Sequence, residues 1–149
     1  MPIAVASQPR RETFHVLKRG RHVPEARARV RKILADWGVG DELAADVAAV
    51  TTEYVTNAVR HCRVSFARIE VSLSVRDAHL LVEVSDPDRT RIPELRACGD
   101  QEEGGRGLVV VAALAENWGC DLRRFAKCVW ATFPVPEACS STALQTREP

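Results

Sequence analysis

The sequence predicts an α/β (α+β) two-layer sandwich, a mostly antiparallel mixed sheet with helices covering one face. Two long stretches of helical periodicity, 24–37 and 41–61, stand almost back to back. Two stretches of strict alternation, 69–75 and 80–84, follow with a short turn between them. The order of these elements does not repeat the βαβ unit, which argues for helices gathered on one side of a sheet.

Residues 1–11 mix small, polar and basic side chains with two prolines and read as a flexible arm. Order is expected from Thr13, where Phe14 and Val16 alternate with polar neighbours. From Pro24 the period changes: Ala26, Val30, Ile33 and Trp37 recur three or four apart, with Pro24 suited to a first helical turn and Gly38 to a helix end. A second helix runs from Asp41 to His61 on the stripe Leu43, Val47, Val50, Tyr54 and Ala58, its acidic start matching the positive end of the helix dipole. Ile69, Val71, Leu73 and Val75 then alternate with polar residues, Arg76 to Ala78 turn the chain, and Leu80, Val82 and Val84 resume. The same alternation carries Asp86 to the inner face of that strand, where Pro87 ends regular pairing.

Residues 87–106 read as a long binding or lid loop with a short helical piece near Pro93 to Ala97. A helix is expected from Gly107 through Leu108, Val110, Val111 and Leu114, closing near Asn117 to Gly119. Leu122 and Phe125, then Val129, Ala131 and Phe133, supply two further strands, and 135–149 form a polar tail. The ordered domain is therefore expected to span 12–134.

Composition narrows the function classes. Hydrophobic residues make up 46% and charged residues 28% of 149, a globular balance, and the net charge of +1 gives no general push toward nucleic acid or an acidic membrane. Cys62, Cys98, Cys120, Cys128 and Cys139 form no CxxC pair, which argues against a zinc module and a disulfide scaffold and fits thiols in a reducing cytoplasm. No apolar run approaches a membrane span. A cytoplasmic protein without direct nucleic-acid or membrane contact is expected.

Three separated features bear chemistry. Glu53, Asn57 and His61 stand four apart on one edge of the second helix. A carboxylate there can accept a proton from a hydroxyl, and an amide oxygen can ligate Mg²⁺. Asp86, at an inner strand end, can accept a hydrogen bond from an exocyclic amine. The run Glu102 to Leu108, with Gly104, Gly105 and Gly107, lets backbone N–H groups approach phosphate at a helix start, with Arg106 as a charged donor. Each has an ordinary alternative: a solvated pair on a helix, a turn cap before Pro87, a plain loop. Neither a Rossmann fingerprint nor a P-loop is satisfied, because about twenty residues separate the strand from the glycines.

From about Glu12 to Pro134 the chain resembles the Bergerat-fold ATPases of the GHKL superfamily, and within them the anti-sigma-factor serine/threonine kinases of the SpoIIAB and RsbW type. The run Glu53-Tyr54-Val55-Thr56-Asn57-Ala58-Val59-Arg60-His61 is similar to the family's N box, Val84-Ser85-Asp86 to its adenine-recognising strand end, and Gly105-Arg106-Gly107-Leu108 to its glycine box. Trp118-Gly119 and Lys127 to Trp130 resemble its C-terminal strand pair. The resemblance implies ATP and Mg²⁺ as cofactors, with Glu53 as general base and Asn57 as metal ligand. Arg60, His61, Asp86, Gly105, Arg106, Gly107 and Leu108 would complete the nucleotide site. It further implies a sigma factor and an anti-sigma-factor antagonist as protein partners, the antagonist receiving phosphate on Ser or Thr. A homodimer is left open. The pattern departs at Asp88, where the superfamily has glycine; the added charge and lost backbone freedom motivate an alternative, an ATP-sensitive regulator that binds its partner without catalysis. A histidine-kinase fragment is disfavoured, since no phosphoacceptor domain accompanies these residues.

Overall fold

A computed structural model describes residues 9–64, 66–88 and 103–136, with the side chains of 103–107 excepted. The elements are β1 (Arg10–Leu17), α1 (Val23–Asp36), α2 (Asp41–His61), β2 (Arg68–Arg76), β3 (His79–Asp86), α3 (Glu103–Leu114), β4 (Asn117–Leu122) and β5 (Lys127–Pro134). The five strands form one antiparallel sheet in the order β1-β2-β3-β5-β4. α2 packs between α1 and α3, and all three helices belong to a single layer over one sheet face. The α/β sandwich expected from the alternating and helical periods is the observed architecture.

The core lies between the layers. Ile69, Val71, Leu73 and Val75 of β2 and Leu80, Val82 and Val84 of β3 meet Val30 and Leu34 of α1 and Val47, Val50, Tyr54 and Val55 of α2, all buried. Local signals explain the element ends. Pro24 sits in the first turn of α1. Gly38, at φ 80°, takes the left-handed conformation past its end, donating its N–H to the Ala35 carbonyl while Val39 N–H reaches the Leu34 carbonyl. Cys62 N–H closes α2 on the Ala58 carbonyl.

Four boundaries differ from expectation. β1 starts at Arg10, three residues before Thr13, because Arg10 to Glu12 pair with Val75 to Leu73 and pairing overrides their polar composition. α3 starts at Glu103 rather than Gly107, so its first turns take in glycines of low helix propensity. Asn117 to Gly119 do not close that helix; they open β4, whose register with β5 runs from Asn117↔Thr132 to Leu122↔Lys127. Phe125 belongs to no strand: Arg123 N–H bonds the Ala126 carbonyl at 2.7 Å, and Phe125 is left 78% exposed in the turn. The expected arm over residues 1–8, the helical piece at Pro93 to Ala97, the tail from 137, Cys98 and Cys139 lie outside the described residues.

Candidate functional site

Arg27 Nε of α1 donates to Thr52 Oγ1 at 3.2 Å, marking the side of α2 that faces α1. At 100° per residue, Glu53 and Asn57 stand about 100–140° round the helix from Thr52, on the opposite flank toward α3. Both are half-buried, and neither has a hydrogen-bond or ion-pair partner among the described residues. Polar groups in this state, at the edge of a core and unspent on any described residue, suit a ligand. Arg60 and His61 are exposed on the last turn of the same helix, beyond the half-buried edge that Glu53 and Asn57 share.

Below them α2 is fixed to the sheet. Tyr54 is 2% exposed and its hydroxyl donates to the Trp130 carbonyl at 2.7 Å, so the helix turn carrying Glu53 is tied to β5. Burial, with lesser effects from Cys120 and Cys128, pushes the Tyr54 phenol well above its ordinary range, and it stays a neutral donor.

Asp86 lies on the inner face as its place in the alternation predicts, and it is 4% exposed. In the β3–β5 register it stands opposite Lys127, whose Nζ is 3.6 Å from Asp86 Oδ2; the two side chains are 6% and 4% exposed. Asp86 Oδ1 accepts the Asp88 N–H at 2.8 Å, and Asp88 Oδ2 in turn accepts the Arg63 N–H at 2.7 Å. The strand end carrying Asp86 is thereby bound to the chain just past α2. Burial raises the Asp86 carboxyl above its ordinary value; Lys127 and the Asp88 N–H oppose the rise, and the Asp88 charge adds to it.

Two members of this arrangement escaped sequence reasoning. Lys127 appeared only as part of a strand, although matching β3 against β5 sets opposite charges side by side. Asp88 read as a lost glycine; it is a buried carboxylate, 6% exposed, that holds the Asp86 loop to Arg63. Leu108 is buried on α3. Gly105 falls in the first turn of α3, whose unpaired backbone N–H groups and positive dipole end suit phosphate, while Arg106 and Gly107 follow it where the helix's own carbonyls take up the N–H groups; the side chains of 103–107 lie outside the described set. Cys62, Cys120 and Cys128 are free thiols held protonated chiefly by burial, and no cluster of three metal-ligating side chains occurs among the described residues.

The layer thus presents a half-buried carboxylate and amide on one helix, a buried acceptor at an inner strand end and a glycine-containing helix start. The sequence of residues 17–133 matches the model of the histidine kinase-like ATPase domain, and the chain belongs to that family. Solved structures share the fold at low identity. The RsbU and RsbW domains of Rv1364c from Mycobacterium tuberculosis superpose with a TM-score of 0.63 at 20% identity, covering 83% of this chain and 32% of that one. The SiaB–SiaC complex from Pseudomonas aeruginosa gives 0.59 at 16%, covering 82% and 88%. The histidine kinase domain of the blue-light activated kinase EL346 from Erythrobacter litoralis gives 0.55 at 18%, covering 87% and 65%. The chain thus spans about a third of the first of these proteins. No curated protein sequence matches it.

Proposed function

We propose that the chain is an ATP-binding regulator of the anti-sigma-factor type, which phosphorylates a Ser or Thr of an antagonist protein and sequesters a sigma factor. The observation that carries the reading is the joint framework of the site. Asp86 is tied through Asp88 to Arg63, just past the end of the helix that carries Glu53 and Asn57.

In this reading the Asp86 carboxylate accepts the exocyclic amine of adenine, a role that suits an inward acceptor buried at a strand end. Unpaired backbone N–H groups in the first turn of α3, Gly105 among them, receive phosphate oxygens with the Arg106 guanidinium, and Gly107 lets the chain approach them closely. Asn57 fits Mg²⁺ as a neutral oxygen ligand that no described protein group has claimed. Bound Mg²⁺ supplies neutralisation of the phosphate charge. Glu53 orients the partner's hydroxyl in line with the γ-phosphate and takes its proton.

The test is transfer from labelled ATP to a partner recovered from native extract. Glu53→Ala is expected to slow transfer by about 100-fold or more while ATP affinity changes little. Undiminished transfer contradicts the role of Glu53. A second reading has its own observation: Asp88 occupies the glycine position with two hydrogen bonds and a buried charge beside Asp86. A regulator that binds ATP and its partner without transfer would leave the recovered partner unlabelled in the same experiment.

A further inference from the structure

Six large apolar side chains are exposed among the described residues, and five of them, Leu17, Val64, Phe66, Leu122 and Phe125, belong to one end of the sheet. The pairing makes this a single surface. Leu17 pairs with Arg68, Asp86 with Lys127 and Lys127 with Leu122, so β1, β4 and the turn into β5 all end at the same rim, about 19 Å across for five strands. Phe66 is 88% exposed and sits at φ 59°, a left-handed conformation that bulky side chains rarely adopt. Phe125, 78% exposed, lies under the Arg124 guanidinium, 5.2 Å from ring centroid to Cζ. Beside Phe125 a shallow hollow of about 260 Å³ is lined by Arg68, Pro87, Phe125, the end of β3 at Asp86 and the His15–Glu70 pair, whose nitrogen and oxygen are 3.5 Å apart.

The charge of this rim departs from that of the chain. The loops 18–22, 62–67 and 123–126 hold Lys18, Arg19, Arg21, Arg63, Arg123 and Arg124 and no acidic residue, in a protein whose net charge is only +1. Arg123 is paired with Glu83 at 2.9 Å, Lys18 Nζ donates to the Cys62 carbonyl, and the carboxylates bordering the hollow, Glu70 and Asp86, have His15 and Lys127 as partners. Exposed aromatic and arginine side chains together are what the centres of protein interfaces are enriched in. A second copy of the chain is a poor occupant, because a two-fold contact would oppose these bases to themselves. The sequence pI of 7.7 is low for a nucleic-acid-binding domain. Membrane-surface binding ordinarily uses an amphipathic helix, whereas these apolar groups come from strand ends and turns.

We infer that this rim docks a protein segment carrying Asp or Glu beside apolar side chains. The carboxylates meet Arg19, Arg21 and Arg124, bidentate where the geometry allows, and an apolar side chain enters the hollow between Arg68 and Phe125. The inference deepens the partner-binding half of the proposed function and needs no phosphate transfer.

The test titrates the isotopically labelled full chain with a synthetic acidic amphipathic peptide of alternating Asp and Leu, followed by NMR. Parallel titrations use the same peptide with Lys for Asp, phosphatidylserine vesicles and a DNA duplex. Saturable shifts at Leu17, Phe66, Arg68 and Phe125 with the acidic peptide alone are expected. Arg19→Glu with Arg124→Glu should weaken them about tenfold or more. Phe66→Gly, which suits the left-handed backbone and so keeps the fold, should weaken them too. The proposal is overturned if the acidic peptide leaves the rim unshifted, if the Lys peptide binds it equally, or if only vesicles or DNA engage it. ATP added to the same labelled sample reports separately on the nucleotide reading.

Discussion

A buried carboxylate beside a buried ammonium makes Asp86 an acceptor whose charge is set by its neighbours. Burial dominates, Lys127 and the Asp88 N–H oppose it, and the protonated thiols Cys62 and Cys120 face the same region. Because burial raises the folded carboxyl, the folded chain holds a proton that the unfolded chain has already lost. The resulting stabilisation is full below the ordinary carboxylate value and is lost as pH rises through the raised one. Nucleotide affinity runs the other way, since only the ionised form is a full acceptor: ATP binding should weaken as pH falls through the raised value. Lys127→Met removes the main opposing charge, so the loss of affinity should begin at a higher pH than in the unsubstituted chain, read by calorimetric titration across pH. Breaking a buried pair also costs about 3–5 kcal/mol, which urea unfolding of the same variant measures. The half-buried helix edge that carries Glu53 and Asn57 and the inner strand position of Asp86 were legible in sequence because helical and strand periods assign faces. Their neighbours were not, because Lys127 and Asp88 act through cross-strand pairing and loop closure.

At the scale of elements, the β2–β3 hairpin and the β4–β5 ribbon carry testable strain. Asp77 and Ala78, at φ 53° and 64°, form a two-residue turn with both central residues left-handed. Ala78→Gly should therefore raise stability by about 1 kcal/mol in urea unfolding, as the methyl group's conflict with the backbone is removed. Gly119 stands opposite Trp130, and a Cβ placed there would meet Trp130 Cζ2 at 2.8 Å. Gly119→Ala should cost about 1–3 kcal/mol by displacing the ring. This same glycine explains the misplaced end of α3 in the sequence reading: Asn-Trp-Gly looks like a helix stop, whereas its glycine makes room for a cross-strand ring. The long α2 was read correctly from end to end because its period, acidic start and basic finish agree.

At the scale of the whole molecule, one helix layer on one sheet face gives the chain two surfaces that meet at the end of β3, where Asp86 also borders the hollow beside Phe125. The helix-covered side holds Asp86 and the Glu53/Asn57 flank of the histidine kinase-like ATPase domain, and the rim at the strand ends presents Phe66, Phe125 and the basic loops. The fold class was legible because alternation and helical period rarely mimic each other over such lengths. The rim was not, since its charge and exposed rings come from three short loops far apart in sequence that only the antiparallel register gathers. The central claim is that Asp86 anchors ATP in this layer. Calorimetric titration with Mg-ATP at neutral pH, comparing the unsubstituted chain with Asp86→Asn, tests it most directly. Saturable one-to-one binding, weakened about tenfold or more by the substitution, is the predicted result; no binding, or equal affinity in both proteins, would contradict it.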